Sequence, residues 1–126
     1  MTVIGLGTDL MEIARIEESI LRFGDRFLGR VFTPGEIAFC QKKKKSAESF
    51  AARFAAKEAA AKALGTGISR GVSWQEIEVV RRAGERPEVL FHGRAAERSR
   101  ALGVLSANIS LTHSREIAMA VVILEK

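Results

Sequence analysis

The sequence predicts an α+β fold, and three observations carry that prediction. One short strand-like segment, Val3 to Thr8, precedes every helical segment. Hydrophobic residues then recur at helical spacing as far as Leu64, and at a spacing of two from Trp74 onward. The order is strand, helices, then mostly strands, without the alternation of a regular βαβ repeat. The expected architecture is a small, mostly antiparallel sheet packed on a long Ala-rich helix and shorter helices.

Each element follows from local chemistry. Val3 to Thr8 contains Gly5 and Gly7, which in a strand mark the close approach of another backbone or of a ligand. Asp9 stands at the expected strand-to-helix junction, where an Asp commonly serves as N-cap. Met11, Ile13, Ile16, Ile20 and Leu21 predict a first amphipathic helix, and a less regular segment spans Phe23 to Phe32. Thr33-Pro34-Gly35-Glu36 reads as a helix start, with Thr as N-cap, Pro at the first position and Glu at the third. That helix ends in the Lys42–Lys45 run. Ser46 to Leu64 is the strongest helix signal, rich in Ala, anchored by Phe50, Phe54 and Leu64, and stopped by Gly65. Ile77 and Val79 alternate with Glu76 and Glu78 as in a half-buried strand, and Glu88 to His92 forms its successor. Gly93 to Leu102 is a short helix. Leu105, Ala107, Ile109 and Leu111 alternate with polar residues, and Ile117 to Leu124 is apolar throughout, as in a strand covered on both faces.

At 126 residues the chain matches one domain, residues 1–126, since domains run to roughly 100–200 residues. An apolar share of 47% is enough for a core and argues against disorder. The single cysteine, Cys40, excludes an intrachain disulfide and a cysteine-rich zinc site, and its helical position suggests a packed thiol. The N-terminus lacks a signal-peptide pattern, and the longest apolar run is eight residues against the about 20 needed to cross a bilayer. A cytoplasmic protein that binds no membrane is expected. Aromatics are only 6%, the helices are Ala-rich, and the last strand demands cover on two sides. Another copy of the chain is a natural source of that cover.

The formal charge is +5 and unevenly placed: Arg22 to Lys62 holds ten basic residues against four acids, a balance of +6. Glu58 shares a helix face with Phe54 and Lys62, which turns that face inward or, alternatively, makes a solvated Glu58–Lys62 pair. An inward carboxylate needs a partner or a metal. Two carboxylates from separate elements suit Mg²⁺, which takes one or two carboxylates plus waters and substrate phosphates. Lys57 and Lys62 bracket Glu58 and lead into Gly65-Thr66-Gly67, which reads either as a helix C-cap and turn or as backbone open to phosphate oxygens. Ser110, Thr112 and His113 cluster at a strand end, suited to turn chemistry or to a polyanion; His92 reads as a surface histidine. Arg15 and Arg22 lie seven apart on the first helix, and Arg26 and Arg53 extend a candidate docking surface for an acidic partner. Lys42–Lys45 reads as solvated.

Three blocks together resemble the holo-(acyl-carrier-protein) synthases, the short trimeric class of 4′-phosphopantetheinyl transferases. They are Ile4 to Leu10, Arg53 to Gly67 (RFAAKEAAAKALGTG) and Ser110 to His113 (SLTH). The resemblance covers nearly the whole chain; Ile117 stands where many relatives carry an aromatic. It implies an enzyme of fatty-acid biosynthesis that moves 4′-phosphopantetheine from coenzyme A to a serine of apo acyl-carrier protein and releases 3′,5′-ADP. By the same resemblance Asp9 and Glu58 hold Mg²⁺, and Lys62 neutralises the leaving phosphate. Lys57, Lys62, Gly65, Thr66, Gly67 and His113 stand near coenzyme A. The serine proton passes to Glu58, a metal-bound water or another group. The carrier docks on Arg15, Arg22, Arg26 and Arg53, and a homotrimer forms active sites at its subunit interfaces. The alternative is a non-enzymatic basic module for an acidic protein or RNA. Few aromatics for base stacking, and no RNA-binding motif, weigh against nucleic acid.

Overall fold

In the computed structural model, which describes residues 2–126, the chain runs β1 (Val3–Glu12), α1 (Ile13–Phe23), α2 (Asp25–Val31), α3 (Pro34–Gln41) and α4 (Ser46–Ala63). A 3₁₀ turn (Trp74–Glu76), β2 (Ile77–Val80), β3 (Glu88–Phe91), α5 (Gly93–Leu102), β4 (Ser106–His113) and β5 (Ile117–Glu125) follow. The α+β prediction stands. The strands divide into two antiparallel sheets, β1-β5-β4 and β2-β3, with α5 between β3 and β4 in the chain.

β1 and α4 form the spine. Gly7 and Gly5 lie against α4, where a β-carbon on either would collide with the carbonyl oxygen of Ala59 or Ala63 respectively. The predicted close approach is therefore that of a helix backbone. On the same face β5 buries Ala118, Ala120, Val122 and Leu124. A second cluster packs Ile16, Leu28, Val31, Phe32 and Phe50 among the first four helices. Cys40 lies there too, and burial pushes its thiol up.

α3 starts as read. Thr33 Oγ1 accepts from Glu36 N at 3.2 Å, and Thr33 N donates to Glu36 Oε1 at 2.8 Å. One expectation needs correction. Asp9 is not an N-cap: β1 continues to Glu12, and Asp9 pairs across the sheet with Ala120. Within one chain β5 is covered on one face, which leaves the other for the cover expected from another copy. On the other face Met119, Val121 and Ile123 are partly exposed, beside Leu6 and Leu10 of β1, both 61% exposed.

Candidate active site

Strand alternation from Gly7 points Asp9 at α4, and the helix answers with Lys62. Lys62 Nζ bonds Asp9 Oδ1 at 3.2 Å and the carbonyl of Thr8 at 3.0 Å. Glu58 lies one turn earlier on α4. Burial pushes its carboxyl up, the Asp9 charge adds to the rise, and Lys62 opposes it. The two carboxylates therefore sense each other across the β1–α4 junction, and the solvated Glu58–Lys62 pair gives way to a Lys62–Asp9 pair.

Asp9 Oδ2 is buried and has no hydrogen-bond partner among the described residues. Such an oxygen lacks the donor or cation its charge calls for. Two adjacent carboxylates, one with a free buried oxygen, fit Mg²⁺ with its remaining positions filled by water and phosphate oxygens.

Lys57 points elsewhere, so its expected place at a phosphate is corrected. Its ammonium is fully buried, 2.6 Å from Glu36 Oε1, and donates to the carbonyls of Ile77 at 2.6 Å and Trp74 at 3.0 Å. Burial lowers its pKa and Glu36 opposes that. Glu36 was legible only as the capping residue of α3; nothing in local spacing couples it to a lysine 21 positions on.

The Gly65-Thr66-Gly67 loop is a helix ending. Gly65 N donates to Lys62 O, and Thr66 N and Gly67 N both donate to Ala61 O. Gly65 and Gly67 take φ of +80° and +62°, and Thr66 Oγ1 donates to Gly67 O. All three N–H groups are engaged, which is the helix C-cap and turn of the two readings the sequence left open. It remains as a wall beside Lys62, braced by Arg98 Nε on the Leu64 carbonyl at 2.9 Å.

His113 opens onto a separate cavity of about 540 Å³ that includes Lys43, Lys44, Lys45, Arg53 and Arg81, but not Asp9, Glu58 or Lys62. Arg53 is only 4% exposed. It stacks on Phe39 at 4.1 Å, reaches Ser49 Oγ at 3.3 Å, and leaves its buried Nε without a partner among the described residues. Arg53 thus leaves the carrier-docking group and joins this basic cavity. Arg81, brought in by the end of β2, carried no sequence signal.

Arg15, Arg22 and Arg26 do share a surface. A groove of about 290 Å³ is lined by Arg15, Arg22, Phe23, Phe27 and Phe54. It continues through Phe23 and Phe27 into a second hollow with Arg26 and Arg30. Phe54 packs at a tilt against Trp74, with ring centroids 4.6 Å apart and planes 36° apart.

A family model described as the 4′-phosphopantetheinyl transferase superfamily matches residues 5–122. The holo-(acyl-carrier-protein) synthase of Koribacter versatilis (strain Ellin345) is 54% identical over 98% of this chain and 98% of its own. The crystal structure of the Neisseria meningitidis holo-(acyl-carrier-protein) synthase superposes with a TM-score of 0.90 at 34% identity, covering 99% of this chain and 100% of that one. The Helicobacter pylori holo-(acyl-carrier-protein) synthase, solved in complex with coenzyme A, gives 0.84 at 33% identity, covering 95% and 99%.

Proposed function

The chain belongs to the 4′-phosphopantetheinyl transferase superfamily, an enzyme family, and from that premise we propose that it transfers 4′-phosphopantetheine from coenzyme A to a serine of an apo acyl-carrier protein. The observation that carries the reading is the unpartnered Asp9 Oδ2 beside Glu58, with Lys62 at hand. Asp9 and Glu58 would hold Mg²⁺ against the pyrophosphate, where it neutralises charge on the phosphoryl oxygens.

The chain's own groups supply the rest. The serine oxygen attacks the phosphorus that bears pantetheine, and the bond from that phosphorus to the bridging oxygen breaks, releasing 3′,5′-ADP. Lys62, 52% exposed at its side chain, reaches the oxygens of the departing phosphate. The serine proton passes to a base at the same junction, Glu58 or a water held there.

Coenzyme A carries a 3′-phosphate besides its pyrophosphate, and the cavity around Arg53, Lys43–Lys45 and His113 suits it. Because that cavity and the Asp9–Glu58 pair are separate within one chain, the complete site forms between copies. The apolar face of β1 and β5 offers the contact, and a homotrimer is the assembly the reading takes. An acidic carrier protein docks on Arg15, Arg22 and Arg26 around Phe23 and Phe27. Such a reaction belongs to cytoplasmic fatty-acid biosynthesis.

The test follows release of 3′,5′-ADP from coenzyme A by chromatography. Release should require both Mg²⁺ and apo carrier protein. Coenzyme A left intact with both present overturns the proposal.

A further inference from the structure

α4 meets its neighbours largely through alanine: Ala51, Ala55, Ala56, Ala59 and Ala60 are fully buried. Methyl groups make shallow ridges, so a small slide or rotation of such a helix forfeits few interlocked contacts. The proposed chemistry, on which this inference rests, needs Glu58 held against Asp9 of another element to within about 0.5 Å.

Besides the β1 glycines under Ala59 and Ala63, one buried polar contact sets that register, and it lies next to Glu58 in the chain. Lys57 Nζ meets Glu36 Oε1 at 2.6 Å, the Ile77 carbonyl at 2.6 Å and the Trp74 carbonyl at 3.0 Å. Glu36 is fixed in turn, accepting Thr33 N at 2.8 Å and Val79 N at 2.7 Å. Three acceptors from α3, the 3₁₀ turn and the start of β2 thus converge on one ammonium. Together they define both the rotation and the height of α4 at residue 57. A buried ion pair adds little net stability, because desolvation offsets its attraction, but it can specify one arrangement among several. We infer that Lys57 and Glu36 are positioning residues: by fixing the register of α4 they hold Glu58 opposite Asp9 in the geometry that binds Mg²⁺ and pyrophosphate.

The test compares wild type with Lys57→Met/Glu36→Gln, which removes both charges and keeps most of the volume. Calorimetry of Mg²⁺ binding with coenzyme A present should show affinity lower by about 10–100-fold, with kcat lower by a similar factor. The KM for carrier protein should stay near wild type, while the melting temperature falls because the buried Ile77 and Trp74 carbonyls lose their donor. A folded double variant with unaltered Mg²⁺ affinity and kcat overturns the inference. If that variant does not fold, Lys57→Arg replaces it: the charge persists, but a planar guanidinium cannot meet the same three acceptors. Its Mg²⁺ affinity should fall in the same direction, and wild-type affinity and kcat in Lys57→Arg overturn the inference equally. Activity of the wild type tests the functional reading; the difference between wild type and variants tests the register, so the two fail separately.

Discussion

Asp9, Glu58 and Lys62 converge from β1 and α4, and each has a distinct expected phenotype. Asp9→Ala and Glu58→Ala should abolish Mg²⁺-dependent transfer while circular dichroism and melting temperature stay near wild type. Lys62→Ala should lower kcat by about 100-fold with a small change in KM, as for loss of a group acting on transition-state charge. A raised KM with unchanged kcat would instead make Lys62 a ground-state contact. Arg15→Glu should raise KM for carrier protein about tenfold, or about 1.4 kcal/mol, and leave KM for coenzyme A unchanged; equal effects on both would remove Arg15 from the docking surface. At this scale the sequence names candidate residues but not the partners they touch. Lys57 and Lys62 look alike in the motif, yet one is sealed against Glu36 and the other reaches Asp9. Partner identity across 21 or 53 positions is a tertiary property that local spacing does not encode.

Elements with strong local signals were legible. α3 carries its full capping box, and α4 its alanines and glycine stop. β1 was read too short. Leu10 and Met11 favour helix by propensity, but pairing with Met119 and Ala118 of β5 overrides it. The β1–α4 contact predicts that Gly7→Ala destabilises by roughly 1–3 kcal/mol or more, because a β-carbon meets the Ala59 backbone; chemical denaturation measures this, and wild-type stability would contradict the packing. The 3₁₀ turn yields a pH prediction. Burial pushes the Glu76 carboxyl up, but hydrogen bonds from Ser73 N, Ser73 Oγ and Arg94 N outweigh it and hold the group below the usual range. A depressed carboxylate stabilises fully above its unfolded value of about 4.3 and loses that contribution as pH falls through the folded value. The stability deficit of Glu76→Gln should therefore be largest near neutrality and close in acid; a deficit independent of pH would contradict the assignment.

Across the whole molecule, the +6 segment is not one patch. Lys62 faces the carboxylates, Lys57 is neutralised inside by Glu36, and Arg53 with Lys43–Lys45 lines a separate basic cavity. Arg22 and Arg26 border the hollows around Phe23 and Phe27. Among the described residues no helix is long and apolar enough to cross a membrane. Leu6 and Leu10 stay exposed on the sheet face that the functional reading assigns to another copy. Burying one leucine contributes roughly 1.5–3 kcal/mol. Leu6→Glu should therefore shift a trimer toward monomer in light scattering and reduce transfer with it; a wild-type monomer that is fully active would refute an interface site. The most direct measurement is the intact mass of an apo acyl-carrier protein after incubation with this chain, coenzyme A and Mg²⁺. The expected result is a gain of one phosphopantetheine group that disappears when Mg²⁺ is chelated, and a carrier of unchanged mass with Mg²⁺ present would contradict it.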